Sequence, residues 1–464
     1  MKKLFLSLVI GFVILLTSCE KAGFIESPGA LIRLSADTLH FDTVFTTSGS
    51  VTQSFKIFNQ NNNKLRLSDI SLTGGNSSEF KINVDGTAGT SFSNVDLEPN
   101  DSIYIFVSVS VNPNSANLPF IVRDSISIKY NGNQTYMQLE AYGQNAHFFK
   151  NRRITKDSTW NNDLPYVIVG GLTVDSNVTL NISPGCKIYS HEDAPFIVNG
   201  SLKVNGGWDD NQRVIFKGDR LDPEYRDLPA AWPGIFFSQS SKGNQLNYAT
   251  IQNAYQGIRT EYVNTANPKI ILNQCIIDNI FDVGISSFAS SIKATNCLIS
   301  NCGSNIVINA GGDYSFDYCT IATYGNDFIS HKVPVLSISN ADDQGTTLPL
   351  FVFFRNSILY GEGGTVENEV SVQKQGNPTA AEYKVAFENV LYKNKDEQPS
   401  ATFTNSIRNQ PPGFDTIDIG RRNYNFRLKA ASPAIDNATP VPGINIDLDE
   451  KPRGTKPDIG CYEY

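Results

Sequence analysis

The side chains best suited to binding a ligand cluster in one stretch of the sequence, where aromatic rings, carboxylates and guanidinium groups are mixed. Much of this stretch is the loop from Asp219 to Arg226. Aromatic faces stack on sugar rings, and charged forks hydrogen-bond to hydroxyls or carboxylates. The stretch supplies a candidate glycan-binding set: Trp208, Asp209, Asp210, Arg220, Tyr225, Arg226 and Trp232. The plainer interpretation, which we favour, is a group of charged loops at the edge of a repeat.

Residues for acid–base catalysis are harder to find. The chain has four histidines, and none lies in a motif typical of catalysis: His40, His147, His191 and His331. A base must lie within hydrogen-bond reach of its substrate, often beside a carboxylate that tunes its pKa. His191 precedes Glu192 and Asp193, so it is the one histidine with neighbouring acids in the sequence. We favour a solvated turn there over a catalytic site, and no catalytic residue is assigned.

Three acids near the C-terminus are candidate calcium ligands. They are Asp447, Asp449 and Asp458, and carboxylate oxygens are the donors that Ca²⁺ prefers. The alternative, which we favour, is that Arg453 pairs with carboxylates while the chain closes its last repeat. Apart from this calcium alternative, no metal or cofactor is expected.

The N-terminus predicts an exported, lipid-anchored protein. Lys2 and Lys3 precede an apolar run from Leu4 to Leu16, which is too short to span a bilayer and is typical of a signal peptide, here residues 1–18. Leu16-Thr17-Ser18-Cys19 resembles a bacterial lipobox, which implies that Cys19 is acylated and anchors the chain to a membrane. An ordinary secretory signal is the alternative. Glu20 follows the cysteine, so we expect delivery to the outer membrane and exposure on the cell surface, as in Bacteroidetes-like lipoproteins. Residues 19–30 are the predicted linker between the lipid anchor and the first domain.

Composition predicts an all-β protein. The 464 residues include 35 Gly, 28 Phe and 19 Tyr but only 2 Met, and long helical stretches are missing. The formal net charge is -8, with acidic and basic residues mixed along the chain, so nucleic acid is not an expected partner. No later segment is apolar for long enough to cross a membrane, which leaves the lipid as the expected hold on the bilayer.

Residues 31–147 predict an antiparallel β-sandwich of roughly seven strands. Apolar residues alternate in short runs, as in Ile103-Ile105-Val107-Val109, and polar turns such as Gln60 to Asn63 separate them. The stretches Phe41 to Val44, Phe55 to Asn59 and Ser78 to Phe80 resemble immunoglobulin-like envelope domains related to the ASPM/SPD-2/Hydin group. That resemblance implies a spacer or a protein-binding module.

The second half of the chain repeats with a countable period. Cys275, Cys297 and Cys319 are 22 residues apart, and so are Ile285, Val307 and Ile329. Asparagines follow in the same register at Asn253, Asn279 and Asn301. A period in the low twenties with β-branched residues at alternate positions predicts one coil of a solenoid. The asparagine column resembles the ladder of pectate-lyase-like proteins, where its role is structural.

The same stacking bears on the cysteines. Besides Cys19 there are six, an even number in an oxidising compartment, which is typical of disulfides. A column of Cys275, Cys297 and Cys319 inside a solenoid instead predicts small apolar side chains that fill space. We favour packing, although neighbouring coils lie close enough for a disulfide to remain open as the alternative.

Two further resemblances set the predicted fold. Short strands at Ile168 to Val174, Val178 to Ile182 and Phe196 to Val204, with Trp232-Pro233-Gly234 beyond, resemble the first coils of the pectin-lyase-like superfamily. Ser432 to Asp436, Asp447 to Arg453 and Pro457 to Tyr464 resemble the end motif of the choice-of-anchor Q family of bacterial surface proteins. The predicted fold class is all-β: an immunoglobulin-like sandwich, a right-handed single-stranded parallel β-helix at residues 148–430, and a closing motif at residues 431–464.

These features predict a surface lipoprotein that binds a polysaccharide or another surface protein without catalysis. The alternative is a polysaccharide lyase or glycoside hydrolase, because the pectin-lyase-like resemblance implies such enzymes. The chain lacks the Gly-His-Gly segment of polygalacturonase-like hydrolases. Two segments, Ser330 to Leu350 and Gly361 to Tyr383, break the repeat, and inserted loops often form the binding face of a solenoid.

Overall fold

A computed structural model describes residues 23–45, 50–112, 120–262 and 268–464. The predicted signal peptide and the lipidation residue Cys19 lie outside these ranges. The described residues form an all-β structure with strands β1 to β38 and one short 3-10 turn at Gly75–Ser77. The chain divides into two compact units, one up to Asn145 and one from Ala146 onward.

The first unit contains ten strands in two five-stranded sheets. The order in one sheet is β1-β3-β8-β5-β6, and in the other it is β2-β10-β9-β4-β7. The strands are β1 (Ile32–Leu34), β2 (Thr38–Phe45), β3 (Gln53–Asn59), β4 (Leu65–Leu72), β5 (Phe80–Val84), β6 (Thr87–Gly89), β7 (Ser91–Leu97), β8 (Ser102–Val109), β9 (Phe120–Tyr130) and β10 (Asn133–Gln144).

Alternation of apolar residues builds the core of this unit, as the sequence predicts. Phe55 and Ile57 of β3 and Ile105 and Val107 of β8 are buried, and they join side chains of the second sheet in one core. Ten strands are present instead of roughly seven, because short edge strands such as β1 and β6 lack an alternation long enough to detect. The pairing is antiparallel except between β10 and β2, which is parallel.

Part of the predicted linker at residues 19–30 is docked on the first unit, from residue 24 to residue 30. The backbone N–H of Ile25 donates to the Lys64 carbonyl at 2.8 Å, and the Asn131 side chain donates to the Ile25 carbonyl at 2.7 Å. Ala30 is buried in the core. These contacts hold the segment in place, and polar composition alone did not reveal them.

The second unit contains strands β11 to β36 in one parallel sheet system, followed by a hairpin. The strands are β11 (His147–Ile154), β12 (Ser158–Trp160), β13 (Tyr166–Val174), β14 (Thr179–Ile182), β15 (Lys187–Ser190), β16 (Phe196–Val198), β17 (Ser201–Asn205), β18 (Val214–Gly218), β19 (Ile235–Phe237), β20 (Asn244–Asn247), β21 (Ala249–Gln252), β22 (Ile258–Glu261), β23 (Ile270–Asn273), β24 (Ile276–Asp278), β25 (Val283–Thr295), β26 (Leu298–Ser300), β27 (Ser304–Asp317), β28 (Thr320–Tyr324), β29 (Leu336–Ser339), β30 (Leu350–Arg355), β31 (Ile358–Glu362), β32 (Val370–Gln373), β33 (Tyr383–Glu388), β34 (Leu391–Tyr392), β35 (Thr402–Thr404), β36 (Ile407–Arg408), β37 (Phe414–Asp418) and β38 (Asn423–Leu428).

The chain winds so that each strand pairs in parallel with the strand one coil later, which gives three stacks. Stack 1 consists of β12, β14, β17, β20, β23, the C-terminal parts of β25 and β27, β30, β33 and β35. Stack 2 consists of the N-terminal parts of β11 and β13, followed by β15, β18, β21, β24, β26, β28, β31, β34 and β36. Stack 3 consists of the C-terminal parts of β11 and β13, followed by β16, β19, β22, the N-terminal parts of β25 and β27, β29 and β32. This winding is consistent with a β-helix.

The register confirms the predicted 22-residue period and corrects one part of it. Ile270 pairs with Ile292, and Ile292 pairs with Tyr314, each 22 residues on. Ile285, however, pairs with Ile306 and not with Val307. A bulge between Phe288 and Ser290 makes up the missing residue.

The predicted cysteine column is confirmed as packing. Cys275, Cys297 and Cys319 directly precede successive strands of stack 2, are fully buried and carry free thiols, as do the other described cysteines. The register extends the column one coil at a time through Val214 and Ala249, so Cys186 belongs to it as well. Burial raises the pKa of the Cys297 thiol well above its ordinary value.

The residues after β36 do not continue the coils, whereas the predicted β-helix extends to residue 430. We call residues 409–464 the C-terminal strap. It contains the antiparallel hairpin of β37 and β38, and it packs on the outer face of stack 2. Buried side chains of the two meet there: Leu298, Ile358 and Leu391 from stack 2, with Phe426, Leu448 and Ile459 from the strap.

The predicted closing motif at residues 431–464 therefore lies along the side of the coils and does not cover their end. Hydrogen bonds fix it to several coils in turn. The Asn296 side chain donates to the Ile446 carbonyl at 2.8 Å, and the Tyr318 hydroxyl donates to the Thr439 carbonyl at 2.9 Å. The apolar outer face of stack 2 requires such a cover, because exposed it would be a large apolar patch.

Candidate functional site

The outer face of stack 1 forms an open groove of about 580 Å³. Because alternate residues of a strand point to opposite faces, inward residues of stack 1 are buried and their neighbours line the groove. The residues around the groove come from successive coils and include two, Phe354 and Phe387, whose rings are buried inside: Lys293, Ser315, Asp317, Phe353, Phe354, Arg355, Lys384, Ala386, Phe387, Glu388 and Thr404. Equivalent positions on parallel strands lie about 4.8 Å apart, so the groove presents evenly spaced groups along the stack.

A ladder of stacked phenylalanines supports the groove from inside. Phe316 and Phe354 stack with centroids 4.5 Å apart, Phe354 and Phe387 at 5.4 Å, and Phe387 and Phe403 at 4.5 Å. Such close-packed rings fix the backbone of β27, β30, β33 and β35. The groove is therefore built on a rigid sheet and not on loops.

The groove combines one exposed ring with several cations. Phe353 is 38% exposed, and the Lys384 ammonium lies 5.0 Å from its ring centroid. Nε of Arg355 donates to Asp317 at 2.8 Å, and in the described structure the other guanidinium nitrogens make no hydrogen bond. Lys293 and Glu388 are both exposed. With Asp317 neutralised by Arg355, Lys293 and Lys384 leave the groove cationic overall.

The structure does not gather the sequence-predicted set into one site. Trp208, Asp209 and Asp210 lie between β17 and β18, where stack 1 passes to stack 2. Trp208 is 58% exposed, and the Asp209 side chain accepts a hydrogen bond from the Asn211 backbone at 2.9 Å. This makes Asp209 a turn residue.

The other half of the set lies between β18 and β19, at the next corner of the coil. Arg220 forms a two-pronged pair with Asp222 at 3.0 and 3.1 Å, and its guanidinium lies 3.8 Å from the ring centroid of Tyr225. Arg226 is exposed and lies beside Asp227. The Arg220 guanidinium thus covers one face of the Tyr225 ring, and that face is not open to a sugar.

Trp232 cannot serve as a sugar platform. It is 1% exposed in the core, and its Nε1 donates to the Gln252 carbonyl at 2.8 Å. It also bridges to Ala254 on the next coil. A tryptophan with its one polar atom satisfied by the backbone is a packing residue.

His191 is brought next to a carboxylate that the sequence did not indicate. Its Nδ1 lies 2.8 Å from Asp219, which is on the following coil. Burial disfavours the imidazolium, but the Asp219 hydrogen bond and the charges of Asp219, Asp193 and Glu192 outweigh it, so the pKa of His191 is raised. Burial also raises the pKa of Asp219, although His191 opposes that shift.

The three calcium candidates are engaged by other partners. Asp447 accepts backbone N–H bonds from Asp449, Lys451 and Glu463. Asp449 pairs with Arg427, and Asp458 accepts from the Asp436 and Tyr464 backbones. In the described ranges no group of three or more histidine, cysteine or acidic side chains is arranged to hold a metal. These acids organise the strap, and Arg453 pairs with Glu463 beside them.

The two segments that break the repeat meet each other. The Asn340 side chain donates to the Gln375 carbonyl at 3.0 Å and accepts from the Gln375 backbone at 2.8 Å. Between them lies a cleft of about 230 Å³ that includes Leu348 and Glu382. In the same region His331 and Glu369 form a buried pair at 2.9 Å.

Sequence reasoning missed the groove because its residues form no local motif. Lys293, Phe353 and Lys384 are separated by 60 and 31 residues, and only the coil register brings them together. A signal was present in the alternation of β30, where Phe353 stands between two buried positions and is itself exposed. To recognise the groove from this signal, one must first align β27 with β30 across the inserted segment between them.

Comparison with known proteins adds little. No protein-family model and no curated protein matches the chain. A family 123 glycoside hydrolase from Clostridium perfringens is 11% identical over 26% of this chain and 30% of its own, with a TM-score of 0.19. A Porphyromonas gingivalis protein of unknown function is 14% identical over 27% of this chain and 50% of its own, also with a TM-score of 0.19. These matches span half or less of those chains, and similarity at this level establishes neither fold nor function.

Proposed function

We propose that this chain is an envelope-anchored bacterial surface lipoprotein that binds an acidic polysaccharide without modifying it. In this proposal Cys19 carries the lipid, the first unit is an immunoglobulin-like spacer, and the second unit is a right-handed parallel β-helix related to the choice-of-anchor Q proteins. The two-sheet core of the first unit and the three parallel stacks of the second support these assignments.

The single observation that carries the binding proposal is the groove on stack 1. Its groups repeat at the spacing of the coils, which suits a polymer better than an isolated small molecule. Phe353 offers a ring for stacking, and Arg355 offers free guanidinium donors. Lys293 and Lys384 add positive charge, which favours a glycan that carries carboxylates.

The binding experiment uses the chain purified without its lipid and a set of uronate-containing and neutral polysaccharides. We expect uronate polymers to bind and Phe353→Ala to weaken them about tenfold, equivalent to about 1.4 kcal/mol. Lys384→Glu should also weaken binding, and the loss should be larger at low salt than at high salt. Lys187→Ala, an exposed lysine on stack 2, is the matched control. Equal binding by all four proteins would reject the groove.

A polysaccharide lyase or glycoside hydrolase is the second candidate. Asp317, Arg355 and Glu388 stand in one column on successive coils, so the two carboxylates are two steps, roughly 10 Å, apart along the backbone. Inverting hydrolysis uses carboxyl groups about 6.5–9.5 Å apart. Arg355 lies between them and pairs with Asp317, which favours binding. Release of reducing ends or unsaturated uronate products, abolished by Glu388→Gln, would favour the enzyme instead.

A further inference from the structure

A second polar pocket lies away from the groove, where stack 2 passes to stack 3. We call it the corner pocket. It measures about 180 Å³ and lies between the turns of successive coils and the β37–β38 hairpin of the strap. Its lining is polar or charged throughout: Asp227, Gln252, Asn253, Asp278, Asn279, Asn301, Asn326, Arg421, Arg422 and Tyr424. No aliphatic side chain lines it, so an apolar ligand does not fit.

The asparagines of the corner pocket are held by the fold. Asn253, Asn279 and Asn301 all have left-handed backbones, with φ of 61°, 56° and 49°, a conformation that asparagine tolerates better than most residues. Asn279 Nδ2 donates to Asn253 Oδ1 at 2.8 Å and to the Asp227 carbonyl at 3.0 Å. The predicted ladder is therefore present between these two residues. Asn301 does not continue this ladder, because its side-chain amide donates to Asp278 at 3.2 Å instead.

Hydrogen-bonding capacity at the pocket remains unused. The Tyr424 hydroxyl is buried and makes no hydrogen bond of ordinary geometry, and the Asn326 side chain interacts with it weakly, which opposes the rise of its pKa through burial. Asn326 accepts backbone bonds from Phe328 and Ile329 through Oδ1. A buried hydroxyl without a hydrogen bond of ordinary geometry is destabilising, so this arrangement stabilises the fold less than a phenylalanine would. Such a cost is understandable where the group serves a ligand.

Charges of both signs surround these atoms. Arg422 donates to the Asp227 carbonyl at 3.1 Å, and its guanidinium lies 4.8 Å from the ring centroid of Phe328. The Arg421 side chain is 86% exposed. Asp278 accepts from Ser300 at 2.6 Å, and burial raises its pKa. The mixture of amides, a carboxylate and two arginines suits adjacent hydroxyls, which donate and accept together, better than a simple anion.

We propose that the corner pocket binds a single sugar ring through its hydroxyl groups, with the Tyr424 hydroxyl and the Asn326 amide as the contacts that discriminate. The volume allows one ring and not a chain, which separates this site from the groove. This inference goes beyond polymer binding and does not depend on it, since the two sites share no residue.

The test uses the lipid-free chain and methyl glycosides of common hexoses, a pentose, an N-acetylhexosamine and a uronate, with binding followed by NMR saturation transfer and titration. We expect at least one glycoside to bind and Tyr424→Phe to weaken it about tenfold. Tyr424→Phe should melt at the same or a higher temperature than the natural chain, because it removes a buried hydroxyl without a hydrogen bond of ordinary geometry. Tyr136→Phe, an exposed tyrosine of the first unit, is the control.

Any different result contradicts the proposal. If no glycoside binds, the pocket holds water only. If Tyr424→Phe binds as well as the natural chain, the hydroxyl is not a contact, and if its melting temperature falls clearly, the hydroxyl has a structural partner. Phe353→Ala separates the two sites: it should weaken polymer binding and leave glycoside binding unchanged.

Discussion

At the residue scale, the cysteine column explains why the six described thiols remain unpaired although their number is even. Each Sγ of Cys275, Cys297 and Cys319 faces backbone carbonyls and other thiols in the interior, at a place where the turn leaves room for a small side chain. Ser357 and Val390 continue the same register further along. The column selects small residues, and sulfur meets that requirement.

The packing role predicts the behaviour of Cys297. Cys297→Ala should lower the free energy of unfolding by about 1–2 kcal/mol through lost contacts. Cys297→Asp should prevent folding, because it buries an unpaired charge. Thiol titration of the denatured, unreduced mature chain should find all six cysteines beyond Cys19 free. Finding two or fewer would mean that disulfides form, and reducing agent would then lower the melting temperature.

The pair of His191 and Asp219 predicts a pH dependence. Because the pKa of His191 is raised in the folded state, its contribution is full below its unfolded pKa near 6.5 and is lost as the pH rises through the folded value. His191 is 40% exposed, so the effect is limited to about 1 kcal/mol or less. Denaturant unfolding should show His191→Asn less stable than the natural chain at pH 5.5 and equal to it at pH 8.5. A difference that grows with pH would contradict this.

Residue types alone indicated aromatic and charged candidates but could not separate exposed from buried ones. Trp208 and Trp232 look equivalent in the sequence, yet one is 58% exposed and the other 1%. The difference arises because Trp232 lies just before β19 and packs in the core, whereas Trp208 lies in the turn between β17 and β18. Burial depends on register, which a local motif does not contain.

At the element scale, the turns between stack 1 and stack 2 use one left-handed residue per coil. The column contains Tyr248, Gln274, Asn296, Tyr318, Asn356, Asn389 and Asn405, with φ between 48° and 54°. Asparagine occupies four of these positions, as expected for a residue that tolerates this conformation. The repeated turn starts each of these stack 2 strands at the same offset from the stack 1 strand before it, whatever the length of the rest of the coil.

Gln274 is the least suited member of that column, which gives a prediction. Gln274→Asn should raise the free energy of unfolding by about 0.5–1 kcal/mol, because it relieves a conformation that costs about 1 kcal/mol or more outside glycine and asparagine. Gln274→Val should lower it by more than about 1 kcal/mol, since a β-branched side chain resists positive φ. Denaturation midpoints of the three proteins provide the measurement. The idea fails if the order of stability is reversed.

The repeat was predictable because 22-residue spacing survives in several coils without interruption. Ala249, Ile251 and Asn253 also fall into register with Cys275, Ile277 and Asn279 at 26 residues. The error at Val307 came from the bulge in β25 and β27, which moves the register by one residue without leaving a marker in the sequence. The strap was misplaced for a related reason: its contacts are with coils far earlier in the chain.

At the scale of the whole chain, the strap predicts a strict requirement for the last residues. Ending the chain after Arg408 uncovers Leu298, Ile358 and Leu391, which are all buried against the strap. We expect this variant to bind a hydrophobic dye strongly and to aggregate. Lys429→Ala, at an exposed position of the strap, should behave like the natural chain. A soluble, dye-negative truncation with an unchanged melting temperature would rule out the covering role.

The anchor gives the last prediction. In the described part of the chain no helix is both long and apolar enough to cross a membrane. If Cys19 carries the lipid, Cys19→Ala should abolish labelling with a fatty-acid analogue and move the protein from the membrane to the soluble fraction. Cys186→Ala is a matched control, because that thiol is buried in the coils. Membrane retention of the Cys19 variant would contradict the anchor.

The strap also determines the order in which parts of the second unit can fold. Tyr248 bonds to Glu450 across 202 residues, and Asn296 bonds to Ile446 across 150, so the side of the coils is completed only by residues far later in the chain. A chain that emerges N-terminus first must leave the apolar side of stack 2 bare until the strap has emerged, and contacts so distant in sequence form slowly. The interval between the emergence of the first coil and that of the strap is therefore when this protein is most open to aggregation and proteolysis, and when a chaperone would have an apolar surface to bind.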